Sequence, residues 1–269
     1  MTQTAPLTPV KLDRDSAWMT HVYPVVSRRA GGVSVGVNLN PNNACNWACI
    51  YCQVPDLIRG TAPEIDLTQL ESELRAMLVD IIHGDFMQKR VPEGARRLND
   101  IALSGNGEPT SARAFPQVIE LIGRVMADFG LLGTIKLVLI TNGSLIDRPR
   151  VQDGLRSMAG LNGEVWFKFD SATAAGMRTI NQTRIVPEKQ FERLALAAHL
   201  CPTWLQTCVF ALDGVPPSDI EQAAYLAAVA HIRQQQIPVQ GVLLYGLARP
   251  SMQPQAGRLS ALTAEWLTA

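Results

Sequence analysis

Net charge of either sign is missing from this chain: 24 Lys and Arg balance 24 Asp and Glu. A neutral chain has no global field to gather nucleic acid or an acidic membrane surface, which leaves only a local basic patch for such a role. The densest basic stretch, residues 89–97, is the place for one, and a solvated loop is the plainer reading of it. Long apolar runs are missing too. The stretch 135–140 is interrupted by Lys136 and falls far short of the ~20 residues a bilayer span needs. The opening MTQTAPLTP has neither the basic flank nor the apolar centre of a secretion signal. These absences predict a cytoplasmic, soluble protein with no membrane partner. Histidine is scarce, and His21, His83, His199 and His231 stand far apart. Cysteine is scarce as well, with five in 269 residues, yet three of the five fall within eight positions. In a reducing compartment such crowding points to metal rather than to disulfides.

Apolar residues make up 47 % of the chain and charged residues only 18 %, enough apolar surface for a sizeable core and too little charge for disorder. Residues 1–20 are polar and Pro-containing and read as a flexible lead-in; 21–269 read as one domain. Within it, short strand patterns alternate with helical ones. Strands are predicted at 33–40, 100–104, 135–141, 164–170, 204–211 and 239–245. Helices are predicted at 66–83, 114–129, 149–158, 172–181, 187–200, 218–236 and 255–267. Asp66 followed by Gln69 suits a capped start for the first helix. Strands that alternate with helices imply an α/β fold with a parallel sheet, either open or curled into a partial barrel. In both shapes ligands meet the carboxyl ends of the strands.

The unusual residues cluster at those ends. A cysteine loop follows the first strand, Ser104-Gly-Asn-Gly-Glu-Pro109 the second, Thr141-Asn-Gly-Ser144 the third, and Lys168-Phe-Asp170 ends the fourth. Turn formation alone accounts for the glycines. It does not account for the carboxylate of Glu108 or for Cys45, Cys49 and Cys52 in a C-x₃-C-x₂-C spacing. Thiolates select zinc, copper(I) or iron–sulfur clusters. A structural zinc site wants four protein ligands, and neither Cys201, Cys208 nor any histidine forms the second half of one in the sequence. Three thiolates can hold three irons of a 4Fe–4S cubane and leave the fourth iron for a ligand.

The cysteine loop after a first strand resembles the signature of the radical S-adenosylmethionine (SAM) superfamily, and the segments 104–109 and 141–143 resemble its secondary motifs. The resemblance implies a partial (β/α)6 barrel, a 4Fe–4S cluster on Cys45, Cys49 and Cys52, and SAM chelating the open iron. It also implies a reducing donor such as flavodoxin or ferredoxin, and a 5′-deoxyadenosyl radical that acts on a substrate. Glu108 would accept from the SAM ammonium, Gly105 and Gly107 would let the backbone approach the cofactor, and Asn106 between them is also among the cofactor-binding residues. Tyr51 would lie near the adenine and Asn142 or Ser144 near the ribose, with Thr141 also among the cofactor-binding residues. The flanks 22–39, 49–53, 167–170 and 249–250 resemble the wyosine-base synthase group, whose members modify a tRNA guanosine with carbons from pyruvate. A nucleoside or tRNA base is therefore the substrate class this resemblance implies. The chain departs from that group in lacking any cysteine before Cys45 and in carrying Val26 where the group has proline. A non-catalytic iron–sulfur electron carrier or redox sensor is the alternative from another class.

Strand alternation places Trp166, Lys168 and Asp170 on one face and Val165, Phe167 and Phe169 on the other. Lys168 and Asp170 are the candidate catalytic groups, with Lys168 expected to pair with Asp170 or Glu108. As a functional group Lys168 would contact the cofactor, anchor an anionic substrate or form a Schiff base. Arg28, Arg29, Gln206 and Arg249 are further candidates for contacts to substrate.

Overall fold

The computed structural model describes Leu7 and residues 18–27, 31–247 and 249–268. Seven strands form one sheet in strict chain order. We label them β1 (Val22–Ser27), β2 (Gly32–Val37), β3 (Leu98–Leu103), β4 (Lys136–Thr141), β5 (Gly163–Lys168), β6 (Thr203–Val209) and β7 (Val239–Gly246). The pair β1–β2 is antiparallel, and every later pair is parallel. The two ends of the sheet do not pair, so the six parallel strands form an open barrel with β1 added at one edge.

Main-chain crossovers between parallel strands require helices, and the helices supply the outer layer. They are α1 (Leu67–His83), α2 (Phe115–Asp128), α3 (Pro149–Ala159), α4 (Ala174–Ile180), α5 (Pro187–Leu200) and α6 (Asp219–Gln234). Asp66 caps α1 by accepting from the Gln69 amide, while the Gln69 side chain turns to Thr20 and Glu73 instead of completing a capping box. The helix-facing side of the sheet carries Val33, Val35, Val37, Ile101, Leu103, Leu137, Leu139, Val165 and Phe167, all fully buried. They pack with Leu70, Leu74 and Leu78 of α1 and Phe115, Ile119 and Ile122 of α2 in one core. Each such side chain contributes about 1.5–3 kcal/mol by leaving water. Alternation turns the other face of the same strands, with Ser34, Asp100, Lys168, Gln206 and Cys208, toward the barrel interior.

Three expectations change. The antiparallel β1 adds a seventh strand where six were expected; it is held by Tyr23 lying over Gly36, where a Cβ would approach the ring to 2.3 Å. The helix expected at 255–267 is not one element. Leu259–Ser260 pairs instead with Ala211–Leu212, between a 3₁₀ turn at Ala256–Arg258 and a short helix at Ala264–Thr268. Within the expected lead-in, Leu7 is buried in the core and donates its amide to the Arg90 carbonyl at 2.9 Å. The rest of that lead-in before Trp18, with Arg28 and Arg29, lies outside the described residues. The basic stretch 89–97 is divided between a short helix, Phe86–Arg90, and the 3₁₀ turn Glu93–Ala95.

Candidate active site

The chain leaving β2 is pinned by two buried asparagines. Asn38 Oδ1 accepts from the amides of Asn40 at 3.0 Å and Asn106 at 3.1 Å, tying the loop after β2 to the loop after β3. Asn40 Nδ2 donates to the Ala44 carbonyl at 2.9 Å, one residue before Cys45. A short parallel pair, Ala44–Cys45 with Ile58–Arg59, closes the base of the cysteine loop. The loop's middle rests on the carboxyl end of α4, where the amides of Ala48 and Ile50 donate to the carbonyls of Asn181 (3.3 Å) and Ile180 (2.9 Å). Its far side is clasped from the end of the chain: Ser251 Oγ donates to Ile50 O at 2.7 Å, and Gln253 Nε2 to Val54 O at 2.7 Å.

Cys45, Cys49 and Cys52 are all free and half-buried on this loop. Burial pushes the Cys45 thiol from 9.0 up to about 12, with the Glu108 carboxylate adding to the rise, and burial moves Cys49 upward as well. Burial thus favours the protonated form of both thiols. Among the described residues no three His, Cys, Asp or Glu side chains are gathered as a single metal ion would require. A cubane is wider than one ion and separates its thiolates accordingly. The donor set, three soft thiols on one loop, suits an iron–sulfur cluster with one iron left over. Buried polar atoms without partners lie in and against the loop, namely Trp47 Nε1, Asn40 Oδ1 and Asn106 Oδ1, among the described residues. A ligand bound there would meet groups that the polypeptide leaves unsatisfied.

Glu108 is 2 % exposed, and four donors converge on it. Oε1 accepts from the Thr110 amide (3.1 Å), Thr110 Oγ1 (2.6 Å) and Thr141 Oγ1 (2.6 Å), and Oε2 from the Asn142 amide (2.7 Å). Burial moves its carboxyl upward, against the pull of these hydrogen bonds. The carboxylate thus joins the loops after β3 and β4. Asn142 Nδ2 extends the connection to Asn46 Oδ1 at 2.8 Å, and Asn46 Nδ2 donates to Ser144 Oγ at 2.6 Å, so both rim loops reach the cysteine loop. Gly105, at φ +152°, and Gly107 are required by the polypeptide itself. A Cβ would come within 2.4 Å of Asn38 Oδ1 at the first and 2.1 Å of Ala44 O at the second.

Asp170 is buried at the end of β5 and fully engaged. Its Oδ2 accepts from the Tyr51 hydroxyl and from Asn181 Nδ2 (2.7 Å), and its Oδ1 from the Cys208 amide (2.9 Å). The Tyr51 ring lies 5.7 Å from Phe210 and beneath Lys168, whose Nζ is 4.8 Å from the ring centroid. Lys168 is half-buried and donates to Tyr245 Oη at 3.4 Å. The expected ion pairs with Asp170 and Glu108 do not form, because donors from the rim and the cysteine loop already occupy both carboxylates. Burial disfavours the Lys168 charge, but Tyr245, Asp170, Cys49 and Cys208 outweigh it and move the ammonium upward. Gln206, the register partner of Lys168 on β6, is 1 % exposed and its Nε2 has no partner. Ser251, two residues beyond Arg249, reaches the cysteine loop. Asn38, Asn40, Asn46, Asn181, Ser251 and Gln253 had no signal in the sequence beyond lying in loops or at element ends.

No family model matches the chain. It is 32 % identical over 135 residues to a UPF0026 protein of Helicobacter pylori, covering 49 % of this chain and 38 % of that protein. It is 32 % identical over 165 residues to a UPF0026 protein of Methanocaldococcus jannaschii, covering 59 % and 43 %. The chain thus spans less than half the length of these curated relatives. Among solved structures, TYW1 with a lysine–pyruvate adduct bound superposes over 93 % of this chain and 73 % of its own, with TM-score 0.50 and 14 % identity. The two share a fold. With TYW1 as the frame, the expected partial barrel is the architecture found, and the cysteine loop leaves its first parallel strand. Among the described residues no helix is long and apolar enough to cross a membrane.

Proposed function

We propose that the chain is a radical SAM enzyme in which Cys45, Cys49 and Cys52 hold a 4Fe–4S cluster with one iron open to SAM. The supporting observation is the loop itself: three free, half-buried thiols on one segment that β2, β3, β4, α4 and the end of the chain all hold in place. When bound, such a cluster supplies the electron that splits the sulfonium of SAM and yields the 5′-deoxyadenosyl radical, and the protein supplies position and shielding.

The roles of the chain's own residues follow. Asn46, Asn142, Ser144 and Thr141 present a polar rim to the ribose and methionine ends of SAM, with Glu108 bracing that rim from behind. Gly105, Asn106 and Gly107 hold the adjoining backbone against the cysteine loop. Asp170 positions Tyr51 and Asn181 rather than meeting substrate. Lys168, Gln206 and Tyr245 face the barrel interior as hydrogen-bond donors suited to an anionic substrate group. The adduct in TYW1 makes a keto acid a reasonable co-substrate to try, and condensation at Lys168 would first require that raised ammonium to lose its proton. A flavodoxin or ferredoxin is the proposed donor, a nucleoside or tRNA base the proposed substrate, and the cytoplasm the proposed compartment.

Anaerobic reconstitution followed by iron and sulfide analysis tests the cluster, and 5′-deoxyadenosine released after dithionite and SAM tests the chemistry. A cluster whose spectrum ignores SAM would favour an electron carrier or sensor. A colourless protein holding zinc without sulfide would remove the reading altogether.

A further inference from the structure

We infer that Asn181 sets the reduction potential of the proposed cluster through an N–H···S hydrogen bond to Cys49; this rests on the reading above. Asn181 caps the carboxyl end of α4 and is 1 % exposed. Its Nδ2 carries two protons and has two acceptors: Asp170 Oδ2 at 2.7 Å and Cys49 Sγ at 3.4 Å. The charged acceptor fixes the plane of the amide, and the second proton then points at sulfur. Asp170 is itself held by the Tyr51 hydroxyl and the Cys208 amide, so the amide cannot rotate away without breaking a buried network.

A donor aimed at a cysteine sulfur stabilises the more negative, reduced state of a cluster and raises its potential. The main chain separates this role from simple support of the loop. The Asn181 carbonyl receives the Ala48 amide, and the Ile180 carbonyl the Ile50 amide, whatever side chain stands at 181. Asn181 is therefore a positioning residue for the electron that enters the cluster.

The test compares Asn181→Leu and Asn181→Ser with wild type, by iron content and by an anaerobic redox titration followed by EPR. Leu removes both donors at similar volume. Ser keeps one donor, which the nearby carboxylate takes. In both variants the ratio of reduced to oxidised cluster at the wild-type midpoint should fall about tenfold, equivalent to about 59 mV for one electron. Full iron content with an unmoved midpoint in either variant overturns the inference. If Leu loses iron, Ser carries the measurement; if Ser loses it as well, the side chain supports the loop mechanically and the inference fails. A wild type that binds no cluster defeats the functional reading instead.

Discussion

Tyr51, the residue before the last cysteine of the loop, donates its phenolic proton to Asp170, 119 positions further along the chain. That bond, with those from Asn181 and the Cys208 amide, makes one buried carboxylate the anchor of the cysteine loop on β5 and β6. Asp170→Ala leaves three buried donors without an acceptor and should cost about 3 kcal/mol. Tyr51→Phe removes one bond and should cost about 1 kcal/mol. Urea denaturation of the iron-free protein measures both, and equal costs would show that Asp170 is not the common anchor.

Glu108 gives a pH dependence with a definite sign. Its ordinary value is 4.5, and burial raises it in the folded chain, so the folded state binds the proton more tightly than the unfolded one. Its contribution to stability is fully present below 4.5 and is lost as pH rises through the raised value. Denaturation of wild type and Glu108→Gln from pH 4 to 8 should show that falling component only in wild type. At neutral pH the variant should also lose about 2 kcal/mol, because its amide faces groups that donate.

Thiol reactivity reports the state of the loop. With Cys45 raised to about 12, the iron-free protein should alkylate slowly at this position near neutral pH and faster as the solution becomes alkaline. Cluster loading replaces the thiol protons and should release them to the medium. Mass spectrometry after iodoacetamide and a pH-indicator trace during reconstitution follow the two effects. Fast alkylation of Cys45 at neutral pH would contradict its burial.

Gly107→Ala separates cluster retention from folding. The new methyl would lie 2.1 Å from the Ala44 carbonyl, so the peptide leading into Cys45 has to move. The expected cost is about 1–3 kcal/mol, together with a marked loss of bound iron. Iron content equal to wild type would show that the loop absorbs the shift.

Lys168→Met should leave iron content unchanged and lower SAM-dependent turnover about tenfold, the effect of losing one charge-assisted contact of about 1.4 kcal/mol. Steady-state release of 5′-deoxyadenosine reads the change. Unaltered turnover would remove Lys168 from the site.

Much of the fold was legible because its period is short. The helix expected at 187–200 is α5 to the residue, and the other crossover helices and parallel strands lie close to their expected bounds. β1 was hidden by Pro24, which an edge strand tolerates and a central strand does not. Near the end, Leu259, Leu262 and Trp266 have helical spacing, yet the pairing of Leu259 with Leu212 wins because it lies outside the local sequence. The site divides in the same way. Three cysteines announce themselves by spacing, but Asn181 and Ser251 reach the loop only through contacts 132 and 201 residues apart in sequence. Nothing within a window of sequence separates such residues from ordinary loop asparagine and serine.

The clasp formed by Ser251 and Gln253 has a consequence for biogenesis. In the finished sheet each strand lies beside its predecessor in the chain. The residues that clasp the loop follow it by 201 and 199 positions in the sequence, so they are made long after the cysteines. A cluster of the kind proposed would find its cradle closed only once residue 253 has been made and folded back over the loop.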